Sequence, residues 1–219
     1  YENSEKLAKM ANEETGFGKW EDKVLKNVFA ARTVYESIKD TKTVGIVEEN
    51  VEKRAFKIMV PVGVVAGLIP STNPTSTAIY KAMISIKARN AIVLSPHPSA
   101  KKCIIETAKI IAKAAERAGC PEGAIGCITV PSIEGTNELM KNKDTSLILA
   151  TGGEAMVRAA YSSGTPAIGV GPGNGPAFID KSADVKLAVK RILDSKTFDN
   201  GTICASEQSI VVEKAMEDE

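Results

Sequence analysis

Asn73 stands in Ile69-Pro70-Ser71-Thr72-Asn73-Pro74, where a β-branched run gives way to a helix-periodic segment. An asparagine there has two uses. It caps the helix that Pro74 opens, since both residue types are preferred at those positions. It also places an amide donor at a strand's carboxyl end, where a developing oxyanion could be stabilised. Thr151-Gly152-Gly153 occupies a second strand-to-helix link. Its glycines would let a phosphate approach backbone N–H groups at a helix start, though a plain tight turn needs the same residues. Gly169 to Pro176 holds four alternating glycines, which suit either close backbone approach or a flexible loop. Cys204 follows the turn Asn200-Gly201-Thr202-Ile203. A thiol so placed can be presented at a cleft, although a cysteine ahead of a strand also serves as a small buried hydrophobe. Cys103, Cys120 and Cys127 read as structural. The cysteines form no CxxC pair and the single histidine, His97, is flanked by prolines, so neither a metal site nor a disulfide framework is expected.

These residues need elements to hold them. Apolar periodicity predicts helices over 4–15 and 20–39, the second presenting Val24, Leu25, Val28, Ala31 and Tyr35. Extended segments follow at 43–49 and 54–60, then a buried strand over 62–69. A helix from 74 to about 88 presents Ile79, Ala82, Met83 and Ile86. Strand 91–94, helix 99–118, strand 125–130, helix 133–142 and strand 146–150 continue the alternation. A helix opens at Gly152-Gly153, and strands 166–170 and 176–180, helix 183–197 and strand 208–213 complete the chain. Strand–helix alternation with short links implies βαβ units and a mostly parallel, Rossmann-like sheet flanked by helices. Ligands in such folds bind beyond the carboxyl ends of the strands. The expected positions are therefore 70–73, 95–98, 131–135 and 151–153.

Composition narrows the function classes. Of 219 residues, 43% are hydrophobic and 25% charged, ordinary proportions for a globular chain. With 28 basic and 27 acidic side chains and no basic block, nucleic-acid binding has no electrostatic support. The longest apolar stretch, 59–70, is too short and glycine-rich to span a bilayer, and the polar first twenty residues resemble no signal peptide. A cytoplasmic setting is the expectation.

In their order, the four segments resemble the aldehyde dehydrogenase superfamily, and specifically its coenzyme A-acylating branch. The resemblance rests on Pro61-Val62-Gly63-Val64-Val65-Ala66-Gly67-Leu68-Ile69-Pro70-Ser71-Thr72-Asn73-Pro74-Thr75, on Ser95-Pro96-His97-Pro98 and on Phe198-Asp199-Asn200-Gly201-Thr202-Ile203-Cys204-Ala205-Ser206-Glu207-Gln208. It implies that Cys204 is the nucleophile and that Asn73, with the cysteine's own N–H, forms the oxyanion hole. Thr151, Gly152 and Gly153 fall on the segment lining nicotinamide and pyrophosphate. Ile69, Pro70, Ser71 and Thr72 fall on the strand end beside the cofactor. Ser95 stands where hydrolytic relatives carry a lysine for the adenosine ribose, which leaves NAD against NADP open and points to His97 as a substitute. Residues 1–197 would then form N-terminal helices and an NAD-binding domain, and 198–219 would begin the catalytic domain. The family continues beyond the cysteine, so the chain is expected to be about half an enzyme, truncated before most of the catalytic domain.

The most informative departure is Val170. Hydrolytic members place a glutamate about there to activate water, but no carboxylate occurs here between Arg158 and Asp180. The resemblance therefore implies an aldehyde oxidised through a Cys204 thioester that coenzyme A, not water, takes up. It also implies small-molecule partners, a homo-oligomeric parent, and either the cytoplasm or a bacterial microcompartment as location. Two other readings stay open in the sequence: an NADPH-dependent acyl-phosphate reductase, and a nucleotide-binding or assembly module without turnover.

Overall fold

The computed structural model describes residues 1–214. The first helix, α1 (Ser4–Thr15), ends at Gly16, whose φ of 68° supplies the left-handed cap. Next, α2 (Trp20–Val28) passes through a single wide turn, Phe29–Thr33, into α3 (Val34–Ile38). Residues β1 (Gly45–Asn50) and β2 (Ala55–Met59) pair antiparallel as a hairpin apart from the main sheet. The hairpin exposes Ile46, Phe56, Ile58 and Met59.

The main sheet has five parallel strands, β3 (Val64–Ile69), β4 (Ala91–Pro96), β5 (Ile125–Cys127), β6 (Thr145–Thr151) and β7 (Ala167–Val170), in the order β5-β4-β3-β6-β7. Helices α4 (Pro74–Lys87), α5 (Lys101–Arg117), α6 (Ile133–Lys141) and α7 (Glu154–Tyr161) connect them. This is the Rossmann-like parallel sheet that the alternation implies. On β3, successive side chains enter opposite faces. Val65 and Ile69 join the core formed with α1, α4 and α5, while Ala66 and Leu68 join Met140, Ile148 and Ala160 on the other side. Burial on both faces explains why β3 reads as a continuous apolar run.

Strand β5 is shorter than the expected 125–130, and Pro96 supplies the reason. Ile128 N–H still reaches Leu94 O at 2.9 Å. The next rung would need an N–H from Pro96, which has none.

The last two strands, β8 (Gly175–Ile179) and β9 (Glu207–Val212), pair with each other in parallel and not with the main sheet. Between them run α8 (Val185–Thr197) and a short turn, Phe198–Gly201. Alternation predicts these strands but does not say which partner they choose. Among the described residues, no helix is long and apolar enough to cross a membrane.

Two helices bury faces other than those their apolar periodicity marks. On α2 the buried residues are Lys23, Lys26 and Asn27, whereas Leu25 and Phe29 are 58% and 60% exposed. On α4, Ala82 of the marked face is buried, but so are Thr75, Ala78, Lys81 and Ser85 beside it, while Ile79, Met83 and Ile86 are only half-buried. Close approach of helix and sheet favours small side chains, and each buried lysine has found acceptors.

Lys81 shows how. Its Nζ donates to Leu68 O and Leu149 O, each at 2.7 Å, bracing the carboxyl ends of β3 and β6. Burial disfavours the charged form and pushes the Lys81 pKa down to about 7. An unfolded lysine titrates near 10.4, so between those values the unfolded chain binds more protons and stability rises with pH. We expect the urea-unfolding free energy to climb by roughly 2 kcal/mol more between pH ~7 and ~10 in the parent than in Lys81→Met, the two carbonyls moderating the effect. Equal slopes in the two proteins would show that Lys81 stays charged when folded.

Candidate active site at the sheet's switch point

From β3 the chain crosses to β4 on one side, and β6 lies on the other, so the strand order reverses between β3 and β6. Crevices form at such points, outside the carboxyl ends of the strands. A cleft of about 490 Å³ opens there, lined by Pro70, Ser71, Thr72, Asn73, His97, Thr151, Gly152, Gly153, Val170 to Gly173, Gly201 to Cys204 and Gln208. A second cleft, of about 670 Å³ and strongly apolar, lies between α2, α4 and the cysteine segment. Its wall includes Leu25, Phe29, Val34, Tyr80 and Phe198. Leu25 of α2, with Phe29 and Val34 beyond it, therefore faces this opening and not the core. Asn73, Thr151, Ile203 and Cys204 line both clefts.

Asn73 resolves the choice between capping and presentation. Its backbone carbonyl accepts from Thr77 N–H at 3.2 Å, and Pro74 opens α4, yet its side chain makes no capping bond. Oδ1 instead accepts from Lys26 Nζ at 2.7 Å. The backbone starts the helix and the amide is left for the cleft.

Cys204 is exposed, unlike Cys103, which is buried. Burial raises the Cys103 thiol far above its ordinary value and pushes Cys127 up to about 11, which suits neither to attack as a thiolate. Two features fix the Cys204 segment. The preceding turn carries three consecutive left-handed residues, Asp199, Asn200 and Gly201, with φ of 50°, 54° and 71°. The glycine-rich stretch presses on it from the other side: a Cβ built on Gly173 would overlap Cys204 O. Gly173 is therefore glycine because the cysteine's backbone occupies the space a side chain needs. We expect Gly173→Ala to lower any Cys204-dependent rate by about 100-fold, since displacement of about 1 Å at a reacting centre has that cost. A parent-like rate of Cys204 alkylation and turnover in Gly173→Ala would contradict this packing.

The turn itself is held by a charge cluster that residue spacing does not reveal. Asp199 is fully buried and accepts from Lys19 N–H at 2.6 Å, from Lys23 Nζ at 3.0 Å and from Lys26 Nζ. Its own N–H donates to Asp22 Oδ2 at 2.8 Å. Lys23 also reaches Thr72 O at 3.1 Å, and Lys26 reaches Thr202 O at 2.9 Å. The net result couples α2 to both the Asn73 loop and the cysteine turn. Burial lowers the Lys26 pKa, with Asp199 opposing and Lys23 adding to the shift. The partners lie about 175 positions apart in the chain, so only the tertiary fold brings them together.

Of the cofactor candidates, Pro70, Ser71, Thr72, His97, Thr151, Gly152 and Gly153 line the polar cleft. Ile69 and Ser95 are buried and do not. The Ser95 hydroxyl is occupied by Thr136 Oγ1 at 2.8 Å, so it has no freedom to meet a ribose. On the other side Gly153 heads α7 and faces open space: a Cβ there would meet nothing within 4 Å. Glu154 in the first turn is solvent-exposed and paired with Arg158 at 2.9 Å. Neither cleft is lined by an aspartate or glutamate among the described residues.

The aldehyde dehydrogenase family model matches residues 1–219. The chain is similar to the bifunctional aldehyde-alcohol dehydrogenase of Escherichia coli K12, with 56% identity over 206 residues, covering 94% of this chain and 23% of that one. A probable aldehyde dehydrogenase from Listeria monocytogenes EGD-e superposes with a TM-score of 0.94 at 71% identity, covering 98% of this chain and 48% of that one. An acetylating aldehyde dehydrogenase from Geobacillus thermoglucosidasius has the same TM-score of 0.94 at 62% identity, covering 99% and 48%. The chain thus spans about a quarter to a half of the length of the relatives it matches. A parallel sheet with its switch-point cleft, an exposed cysteine at that cleft and these matches lead to one assignment: the chain belongs to the aldehyde dehydrogenase family, in its coenzyme A-acylating branch.

Proposed function

We propose that this chain supplies the nicotinamide-binding and nucleophile segments of an enzyme that converts a short-chain aldehyde, NAD and coenzyme A to acyl-CoA and NADH. The observation that carries this reading is the position of Cys204 where two clefts meet, neither lined by a carboxylate among the described residues. One cleft is apolar and suits an aldehyde's alkyl group. The other is more polar, has Gly153 at the head of α7 in its wall, and suits a dinucleotide.

Cys204 Sγ attacks the aldehyde carbon, forming a C–S bond and an oxyanion. The Asn73 amide and the Cys204 N–H donate to that oxygen. Nicotinamide, when bound in the polar cleft, supplies the hydride acceptor. Loss of hydride re-forms the carbonyl as a thioester on Cys204. The thiolate of coenzyme A then attacks the thioester carbon, the Cys204 thiolate leaves, and acyl-CoA departs. Water is a poor competitor because, among the described residues, no carboxylate lines either cleft to activate it. The propionaldehyde dehydrogenase of Rhodopseudomonas palustris, 32% identical over 98% of this chain, holds coenzyme A and an acylated cysteine, which supports the same sequence of events here. Among the described residues, the lining of this cleft has no lysine or arginine, which favours NAD over its 2′-phosphorylated form. The exposed apolar hairpin β1–β2 supports assembly of the parent into an oligomer.

The test is NADH formation by the full-length protein with acetaldehyde or propionaldehyde. Sustained turnover is expected only with coenzyme A present, and at most about one NADH per Cys204 without it. Sustained NADH and free acid in its absence would refute the acylating assignment.

A further inference from the structure

A terminal amide is nearly symmetrical in shape, and its two flips present opposite chemistry. With its NH₂ toward the cleft, Asn73 stabilises an oxyanion. With its carbonyl there, it repels one. Residue identity alone does not choose between them.

Lys26 makes the choice. An ammonium only donates, so the group 2.7 Å from Lys26 Nζ must be the Asn73 carbonyl oxygen. The remaining donors of Lys26 go to Asp199 Oδ2 and Thr202 O. Three acceptors take up the three N–H bonds of the ammonium, and none is left to turn elsewhere. The charge also lies 5.5 Å from the Phe198 ring centre, and the side chain is only 9% exposed. On its NH₂ side, Asn73 makes one long contact, 3.3 Å to Thr72 Oγ1. A second N–H is left for the clefts that Asn73 lines together with Cys204.

We propose that Lys26 is a positioning residue: it holds the Asn73 amide with its NH₂ toward the carbonyl under attack. This rests on the reading of Cys204 as nucleophile and Asn73 as oxyanion donor. Lys26 itself touches no reacting atom. Its charge is balanced by Asp199, and its effect passes through the asparagine.

Two reactions of Cys204 in the full-length protein separate this role from a merely structural one. Acylation by p-nitrophenyl acetate passes through an oxyanion, and alkylation by iodoacetamide does not. We expect Lys26→Met to slow acylation by roughly 10- to 100-fold, approaching the loss in Asn73→Ala. Alkylation should stay within about threefold of the parent. The Asn73→Ala/Lys26→Met double variant should acylate no more slowly than Asn73→Ala alone, because the two residues act as one unit. Parent-like acylation in Lys26→Met, equal slowing of alkylation, or multiplied losses in the double variant would each overturn the proposal. Should Lys26→Met fail to fold, Lys26→Arg keeps the charge. Any acylation loss in Lys26→Arg must then vanish in the Asn73→Ala background, and a loss that persists there overturns the proposal. Ester acylation needs neither nicotinamide nor coenzyme A. A parent that acylates at Cys204 but makes no NADH refutes the dehydrogenase reading while leaving Lys26 under test. An acylation burst that survives Cys204→Ala overturns both.

Discussion

Cys204→Ala is expected to reduce coenzyme A-dependent aldehyde oxidation by at least roughly 10⁴-fold, to the background rate. The proposed route has a covalent thioester at every turnover, and alanine offers no atom to carry it. No other cysteine can substitute. Cys103 is buried on α5 against the core, Cys127 has its thiol pushed up to about 11 by burial, and Cys120 lines neither cleft. Removing a small exposed side chain disturbs little packing, so dinucleotide affinity should stay within about twofold. The measurements are steady-state NADH formation and a binding titration on the same preparation. Turnover within about tenfold of the parent would refute Cys204 as the nucleophile, whatever else the site resembles.

Asp199→Ala carries the largest expected effect on stability. It would leave Lys23 and Lys26, with side chains 4% and 9% exposed, facing each other without their paired carboxylate and with only Asp22 as a nearby counter-charge. Breaking one side of a buried ion pair typically costs about 3–5 kcal/mol, because the remaining charge is stranded away from water. The Lys19 N–H would also lose its acceptor, and alanine would keep the left-handed backbone without the hydrogen bonds that sustain an aspartate there. Asp199→Asn should cost less, since it keeps the size and one acceptor. Adding Lys23→Met to Asp199→Ala should restore part of the loss by removing one of the stranded charges. Urea titration of the set measures these differences. A loss under about 1 kcal/mol in Asp199→Ala would mean that water reaches the lysines readily. Gly18 belongs to the same unit: its φ is 68°, and a Cβ there would collide with the Asp199 carboxylate.

Much of the architecture is legible without coordinates. Helix and strand positions follow from periods of 3.6 and 2, and the parallel sheet follows from their alternation. The expected ligand positions at 70–73 and 151–153 do converge on one cleft, because a parallel sheet directs all its carboxyl ends to the same side. The segment 131–135 does not line it; β5 lies at the sheet's edge, two strands from the switch point. Cys204 and Asn73 could be singled out because the motifs around them resemble a known family; their local context alone also fits a buried thiol and a helix cap.

The faces of α2 and α4 show where periodicity misleads. It measures which residues are apolar, and on these helices the apolar residues line an opening while lysines go inside. A lysine is buried only where an acceptor awaits it, and the acceptors of Lys23 and Lys26 come from the other end of the chain. Ser95 illustrates the converse. Its position at a strand end suggests a ligand, but Thr136 already occupies its hydroxyl. The pairing of β8 with β9 is likewise a choice between partners that both read as strands.

The sequence by itself determined the elements and their parallel arrangement, because those depend on local spacing, and its resemblance to a known family singled out Cys204 and Asn73 as the candidates to attack a carbonyl and steady its oxygen. Only the tertiary structure decided which way the Asn73 amide faces, what Asp199 neutralises and why Gly173 bears no side chain. Each of those depends on atoms brought within a few ångströms across long stretches of chain, and a linear pattern does not encode that proximity.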